Sequence, residues 1–176
     1  MRLVEGTSLD WQATEYLRKG LANWNPENAI NVVLHTRKYP QGMKSGDEGA
    51  NLQKINSIIL EQNIKHFYNK VSKKLNKRFR EEPVMTLVGS IERGECVGLH
   101  VHLLIEPPKS EVIAKEDFVI LMDEVWRSTN YGRSINYAVP VKNWVASVIY
   151  NTKRKTKEQT VPDSIVHFGS PWWTTD

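Results

Sequence analysis

Two histidines one residue apart, in the segment Gly98-Leu-His100-Val-His102-Leu-Leu-Ile-Glu-Pro-Pro108, are the most chemically suggestive feature of the chain. The apolar run around them reads as a strand, and in a strand residues two apart project to the same face. His100 and His102 therefore converge, while Val101 and Leu103 turn toward a core. A neutral imidazole is a common ligand of transition metals, so the pair is half a metal site. Glu92 ends the preceding apolar segment and, across a hairpin, brings a carboxylate beside the imidazoles. Two His and one carboxylate leave coordination positions open for a substrate oxygen. Glu95 is an alternative to Glu92, and Glu106, beyond the strand, a weaker one. Cys96 with His100 and His102 forms a competing zinc set, although no fourth structural ligand is evident. A His-x-His pair also occurs simply as hydrogen-bonded or exposed histidines.

His100-Val-His102 followed by Leu-Leu-Ile, with an apolar strand and Glu92 upstream, resembles the metal-binding motif of HUH endonucleases, the group that contains rolling-circle replication initiators, relaxases and single-tyrosine transposases. Two further segments occur in the matching order. Val32-Val-Leu-His-Thr36 resembles the first strand motif of the initiators, and Tyr150-Asn-Thr-Lys153 resembles their third, a helix bearing a nucleophilic tyrosine. The likeness runs from about Asn31 to Lys153. It implies a divalent cation, Mg or Mn, held by Glu92, His100 and His102 and polarising a scissile phosphate. Tyr150 is then the nucleophile, leaving a 5′-phosphotyrosine and a free 3′-hydroxyl, and Lys153 positions phosphate or metal-bound groups. Because only about 0.1% of a free tyrosine is phenolate at neutral pH, such a residue needs activation. Tyr131 and Tyr137 are substitute nucleophiles, since the helix phase is not visible in the sequence.

The resemblance is nearest to the replication initiator of a small plasmid or phage, with single-stranded or hairpin origin DNA as partner. No Gly-x-x-x-x-Gly-Lys-Ser/Thr loop is present, so a host helicase would supply unwinding. A single-tyrosine transposase is the nearest alternative. A non-catalytic nucleic-acid-binding module on an RNA-recognition-like sheet is another, although the strands lack the aromatic pattern by which such modules stack bases.

The elements that must position these residues follow from periodicity. Thr7-Ser8 caps an expected helix from Leu9 to Leu21, within an N-terminal helical extension over 1–25. Ala29 to Thr36 is β-branched and apolar, a strand. Glycines mark Tyr39 to Ala50 as a loop. Ile55, Ile58, Ile59, Ile64, Phe67, Val71, Leu75 and Phe79 predict a long amphipathic helix closed by Pro83. Val84–Ile91 and Leu99–Ile105 predict an antiparallel hairpin. Phe118, Leu121, Met122, Val125 and Trp126 form a second helical stripe, Ile135–Val141 a further strand, and Asn143 caps a helix from Trp144 to about Lys153 with Trp144 and Val148 inward. Residues 154–176 read as an irregular, Pro-broken tail. The expected fold is α+β: a single domain over 1–176, one central antiparallel sheet with helices packed on it, in the manner of an HUH endonuclease or RNA-recognition-like sandwich.

Lys and Arg number 24 against 20 Asp and Glu in 176 residues, a net +4 that permits an anionic partner without requiring one. Distribution is more informative. Lys65 to Arg80 carries Lys70, Lys73, Lys74, Lys77 and Arg78 without an acid, and Lys153, Arg154, Lys155 and Lys157 form a second cluster. Lys73, Lys74, Lys77, Arg78 and Arg154 are candidate DNA-backbone contacts, and Trp172 and Trp173 candidate stacking groups. A solvated helix face and a hydrophobic tail anchor explain the same residues. His35, His66 and His167 read as structural or exposed. A lone cysteine forms no internal disulfide, and neither a signal segment nor an apolar run of about 18 residues appears, so a cytoplasmic protein without membrane contact is expected.

Overall fold

Ile30-Asn-Val-Val-Leu-His-Thr36 alternates buried and half-buried positions along its length, as a strand with two different faces must. In the computed structural model, which describes residues 29–75, 85–94, 98–108, 112–144, 146–147 and 160–168, this is β1 (Ile30–Thr36). It is followed by α1 (Ser57–Leu75), β2 (Thr86–Gly94), β3 (Gly98–Glu106), α2 (Lys115–Arg127), β4 (Gly132–Pro140) and β5 (Thr160–Phe168). The strands form one open sheet in the order β4-β1-β3-β2-β5, every neighbouring pair antiparallel. The first six elements have the split βαβ connectivity of ferredoxin-like domains, with β1 and β3 central. The α+β class expected from periodicity is therefore the observed one.

Register divides the sheet into two chemically distinct faces. Ile30, Val32 and Leu34 pair with Ile105, Leu103 and Val101, which in turn pair with Leu87, Gly89 and Ile91. Leu60, Ile64, Phe67 and Val71 of α1 and Phe118, Met122, Val125 and Trp126 of α2 bury against this face in one core. The opposite face carries Asn31, Val33 and His35 from β1, His100, His102 and Leu104 from β3, and Val88, Ser90 and Glu92 from β2.

Trp126 ties the helical layer to the strand below. It is fully buried, meets Phe67 edge-on at 5.5 Å, and its indole Nε1 donates to the His35 carbonyl at 2.8 Å. Trp126→Ala is expected to cost about 3–5 kcal/mol, read as a lowered denaturant midpoint with unchanged slope.

Several expectations shift. α1 begins at Ser57, where Asn56 Oδ1 accepts the Ile59 N–H at 2.9 Å, and Ile58, counted in the apolar stripe, is exposed. The hairpin is longer than expected: β2 and β3 pair without slippage from Thr86↔Glu106 to Gly94↔Gly98, so Glu92 lies within the ladder and not at its end. Residues 154–176 are not wholly irregular, because Thr160–Phe168 is strand β5. Pro162 counts against a strand, yet β5 is an edge strand whose register against β2 breaks between Ser90 and Glu92, and a ladder interrupted there accommodates a residue without an N–H. Val166 is buried and Phe168 stacks on Tyr68 at 5.5 Å, so the strand has an apolar side. Asn143 is a helix cap as expected: its Oδ1 accepts the Ala146 N–H at 3.0 Å. The N-terminal helix expected within 1–25 lies outside the described residues, as do Val148 and everything from there to Gln159. No helix among the described residues is long and apolar enough to cross a membrane.

Candidate metal centre

The register of β2 on β3 sets Glu92 directly opposite His100 and Ser90 opposite His102. Since alternate residues share a face, the carboxylate and both imidazoles meet on the side of the sheet away from the helices. His102 Nε2 lies 3.6 Å and His100 Nε2 4.0 Å from Glu92 Oε2, and the donor atoms of all three residues lie within 4.8 Å of one another. These separations are too long for hydrogen bonds. The two distances from Glu92 match donors gathered around a common ion, since two ligands each about 2.1 Å from a metal stand roughly 3–4 Å apart.

Burial sharpens the point. Glu92 is 2% exposed and His100 9% exposed. A buried carboxylate is costly unless its charge is compensated, and a divalent cation shared with the two imidazoles would compensate it. His100 is oriented for such a role: its Nδ1 donates to the Gly98 carbonyl at 3.1 Å, which leaves the Nε2 lone pair facing Glu92. Gly98 itself has φ +69°, a conformation that side chains with a β-carbon rarely adopt. Beside His102, the Ser90 hydroxyl is buried with no hydrogen-bond partner among the described residues. An orphaned hydroxyl next to a ligand set is the kind of group that outer-sphere contacts of a bound ion satisfy. The residues present thus fit a metal.

The close seating of β2 on β3 is made by Gly89. A β-carbon there would collide with the His102 carbonyl and lie 2.8 Å from Leu103 Cδ2. Gly89→Ala is expected to push the strands apart at the residue that presents His102, costing about 1–3 kcal/mol and weakening the response to divalent cations. Denaturant unfolding with and without Mn²⁺ measures both effects.

His35, expected to be structural or exposed, joins the site's margin. β1 pairs with β3 so that His35 faces His100, and their rings stack at 6.1 Å with 26° between planes. It is a neighbour of the ligand set and not one of its three members. Burial pushes its pKa below the usual histidine value, helped by His100 and by the positive charge of Arg133. Thr36 hydroxyl donates to the Leu99 carbonyl, clamping the end of β1 beside His100.

Other candidate residues are distributed differently. Glu106 sits four residues beyond His102 on β3, about 13 Å along the strand, too far to share the ion. Lys73 and Lys74 occupy the exposed side of the last turn of α1, and Lys74 pairs with Glu124 of α2 at 3.9 Å. Both helices cover the face opposite the histidines, so these lysines do not border the metal centre. Tyr131 belongs to the core, donates to the Gln53 carbonyl at 2.8 Å and has its pKa pushed up by burial, which removes it as a nucleophile for this site. Tyr137 pairs with Val33, whose other neighbour is His102. Lys77, Arg78, Glu95, Cys96, Tyr150, Lys153, Arg154, Trp172 and Trp173 lie outside the described residues. The helical start after β4 is tied to the face that carries the two histidines, because Asn31 Nδ2 donates to Ser147 Oγ at 3.3 Å.

Comparison of the chain with protein-family models, with curated proteins and with solved structures returned no match.

Proposed function

We propose that the protein is a metal-dependent single-strand DNA nicking and joining endonuclease of the HUH kind, acting at the origin of a rolling-circle plasmid or phage in the cytoplasm. The observation that carries the reading is the buried Glu92, His100 and His102 cluster on the face of the central strands away from the two helices. Two imidazoles beside one carboxylate favour a first-row transition ion, Mn²⁺ being the hardest of them, over Mg²⁺, which prefers oxygen ligands. A cation held there supplies Lewis-acid polarisation of a scissile phosphate.

The chain's own residues carry the remaining roles. Tyr150 is the nucleophile: its phenol oxygen bonds to phosphorus, the bond to the 3′-oxygen breaks, and the proton given up by the phenol is balanced by one gained at the released 3′-hydroxyl. Lys153 orients the phosphate, and Arg154 contacts the backbone. The phosphotyrosine retains the energy of the cleaved bond, so attack by a 3′-hydroxyl rejoins DNA without ATP. In support, Ser147, three residues before Tyr150 in sequence, is bonded to Asn31 on the metal-bearing face. The single-stranded or hairpin origin is the substrate, and a host helicase the unwinding partner.

The sheet's split βαβ connectivity gives one specific observation in favour of a binding module, since RNA-recognition sheets share it. Those modules stack bases on aromatic residues of the open face. Here the central strands present Asn31, Val33 and His35 beside His100 and His102, a surface suited to a metal and poor in stacking platforms. The test is incubation with a pool of labelled single-stranded oligonucleotides and Mn²⁺, then a denaturing gel. A chelator-sensitive protein-linked band is expected. Tight binding with no such band across a broad pool would turn the assignment to a binding module.

A further inference from the structure

We propose that Arg133, the extra residue of a β-bulge beside His35, grips a backbone phosphate of single-stranded DNA next to the one at the metal centre. The inference rests on the nuclease reading above.

The bulge follows from register. His35 pairs with Ser134 but Thr36 pairs with Gly132, so Arg133 has no opposite number on β1. A bulge of this kind twists the strand and re-aims the extra side chain, and it persists only where its surroundings hold it. Here they do. The Gly132 N–H donates to Thr129 Oγ1 at 3.1 Å, and the Gly132 carbonyl accepts from Arg37 Nη1. Gly132 also has no room for a side chain, since a β-carbon there would collide with the Trp126 carbonyl. The residue before Arg133 is thus fixed at both its backbone polar groups and by close packing.

The bulge delivers a cation to the correct edge. Arg133 is exposed and forms no ion pair among the described residues. The next residue, Ser134, pairs with His35, whose ring stacks on His100 of the ligand set. β4 lies two strand spacings from β3, about 10 Å, which suits a phosphate flanking the reacting one and not the reacting one itself. A guanidinium is the side chain best matched to a phosphate, through paired N–H donors in one plane. A DNA strand crossing this end of the sheet passes Arg133, His35, His100 and Glu92 in turn. The lysines of α1 lie behind the sheet, away from that path.

The experiment is fluorescence anisotropy of a labelled single-stranded 30-mer with the full chain in EDTA, so that nothing is cleaved, across a series of salt concentrations. Arg133→Ala is expected to weaken binding about 5–10-fold at 0.1 M salt and to lower the slope of log K against log salt by about 0.7, the value of one phosphate contact on a single strand. Arg133→Lys is expected to restore the slope, and thermal melting of both variants to match the unsubstituted chain because the side chain is exposed. Unchanged affinity and slope in Arg133→Ala, with the unsubstituted chain binding normally, would overturn the inference and leave the nuclease reading standing. So would a slope lost in a Lys73→Ala, Lys74→Ala double variant and kept in Arg133→Ala. Failure of the unsubstituted chain to bind any single strand would remove both.

Discussion

Tyr150→Phe is expected to eliminate the protein–DNA adduct, a loss of at least about 10³-fold, while leaving folding and the stabilisation by Mn²⁺ as they are in the unsubstituted chain. The substitution deletes one oxygen atom. A phenyl ring keeps the volume and most of the apolar surface of tyrosine, so a residue that only packed would lose little, whereas a nucleophile loses all its chemistry. The separation of readouts is therefore the argument. Adduct formation should vanish while the cation response, which belongs to Glu92, His100 and His102, persists. Tyr131 is unsuited to take over, being held in the core with its hydroxyl bonded to the Gln53 carbonyl and its ionisation disfavoured by burial. An adduct persisting in Tyr150→Phe would assign the attack to another tyrosine, with Tyr137 first to be tested, because its strand partner Val33 neighbours His102. Peptide mapping of the labelled adduct distinguishes these cases directly.

How much of this was legible in the sequence depends on the range over which each feature is encoded. That His100 and His102 share a face follows from strand parity, a local property, and the same holds for the burial of Val101 and Leu103 and the stripes of α1 and α2. The partnership of Glu92 with His100 needed only a hairpin, whose register a short connection constrains. His35 is different. Its place beside His100 depends on pairing between β1 and β3, separated by a helix and another strand, and nothing near His35 signals it. Arg133 escapes for the same reason: a bulge is defined only against its partner strand. Amphipathicity located the basic side of α1 on its exterior but not the face of the sheet the helix would cover, and that choice sets Lys73 and Lys74 apart from the metal centre. β5 was hidden by Pro162, a strong local breaker tolerated on an edge strand with broken register.

For the ligand set itself, the decisive contrast is between stability without metal and the response to metal. Saturating Mn²⁺ at about 100 times its dissociation constant should stabilise the unsubstituted chain by about 2.7 kcal/mol, a rise in Tm of roughly 5–10 °C for a chain of this length. His100→Ala and His102→Ala are each expected to abolish most of that rise together with DNA cleavage, because a site of three protein ligands that loses one holds the ion far more weakly. Glu92→Gln carries the argument further. It preserves shape and removes a charge that is 2% exposed beside two imidazoles. Were Glu92 a structural partner of protonated histidines, the amide would leave buried positive charge behind and destabilise the protein strongly. If it is there to hold a cation, the amide relieves the metal-free protein of a buried charge, so its Tm should change little while the Mn²⁺ response disappears. Thermal melts of the three variants with and without Mn²⁺ separate the two cases. A metal-free Tm that falls in Glu92→Gln, with no response of the unsubstituted chain to Mn²⁺, Zn²⁺ or Mg²⁺, would show the cluster to be a structural ion pair.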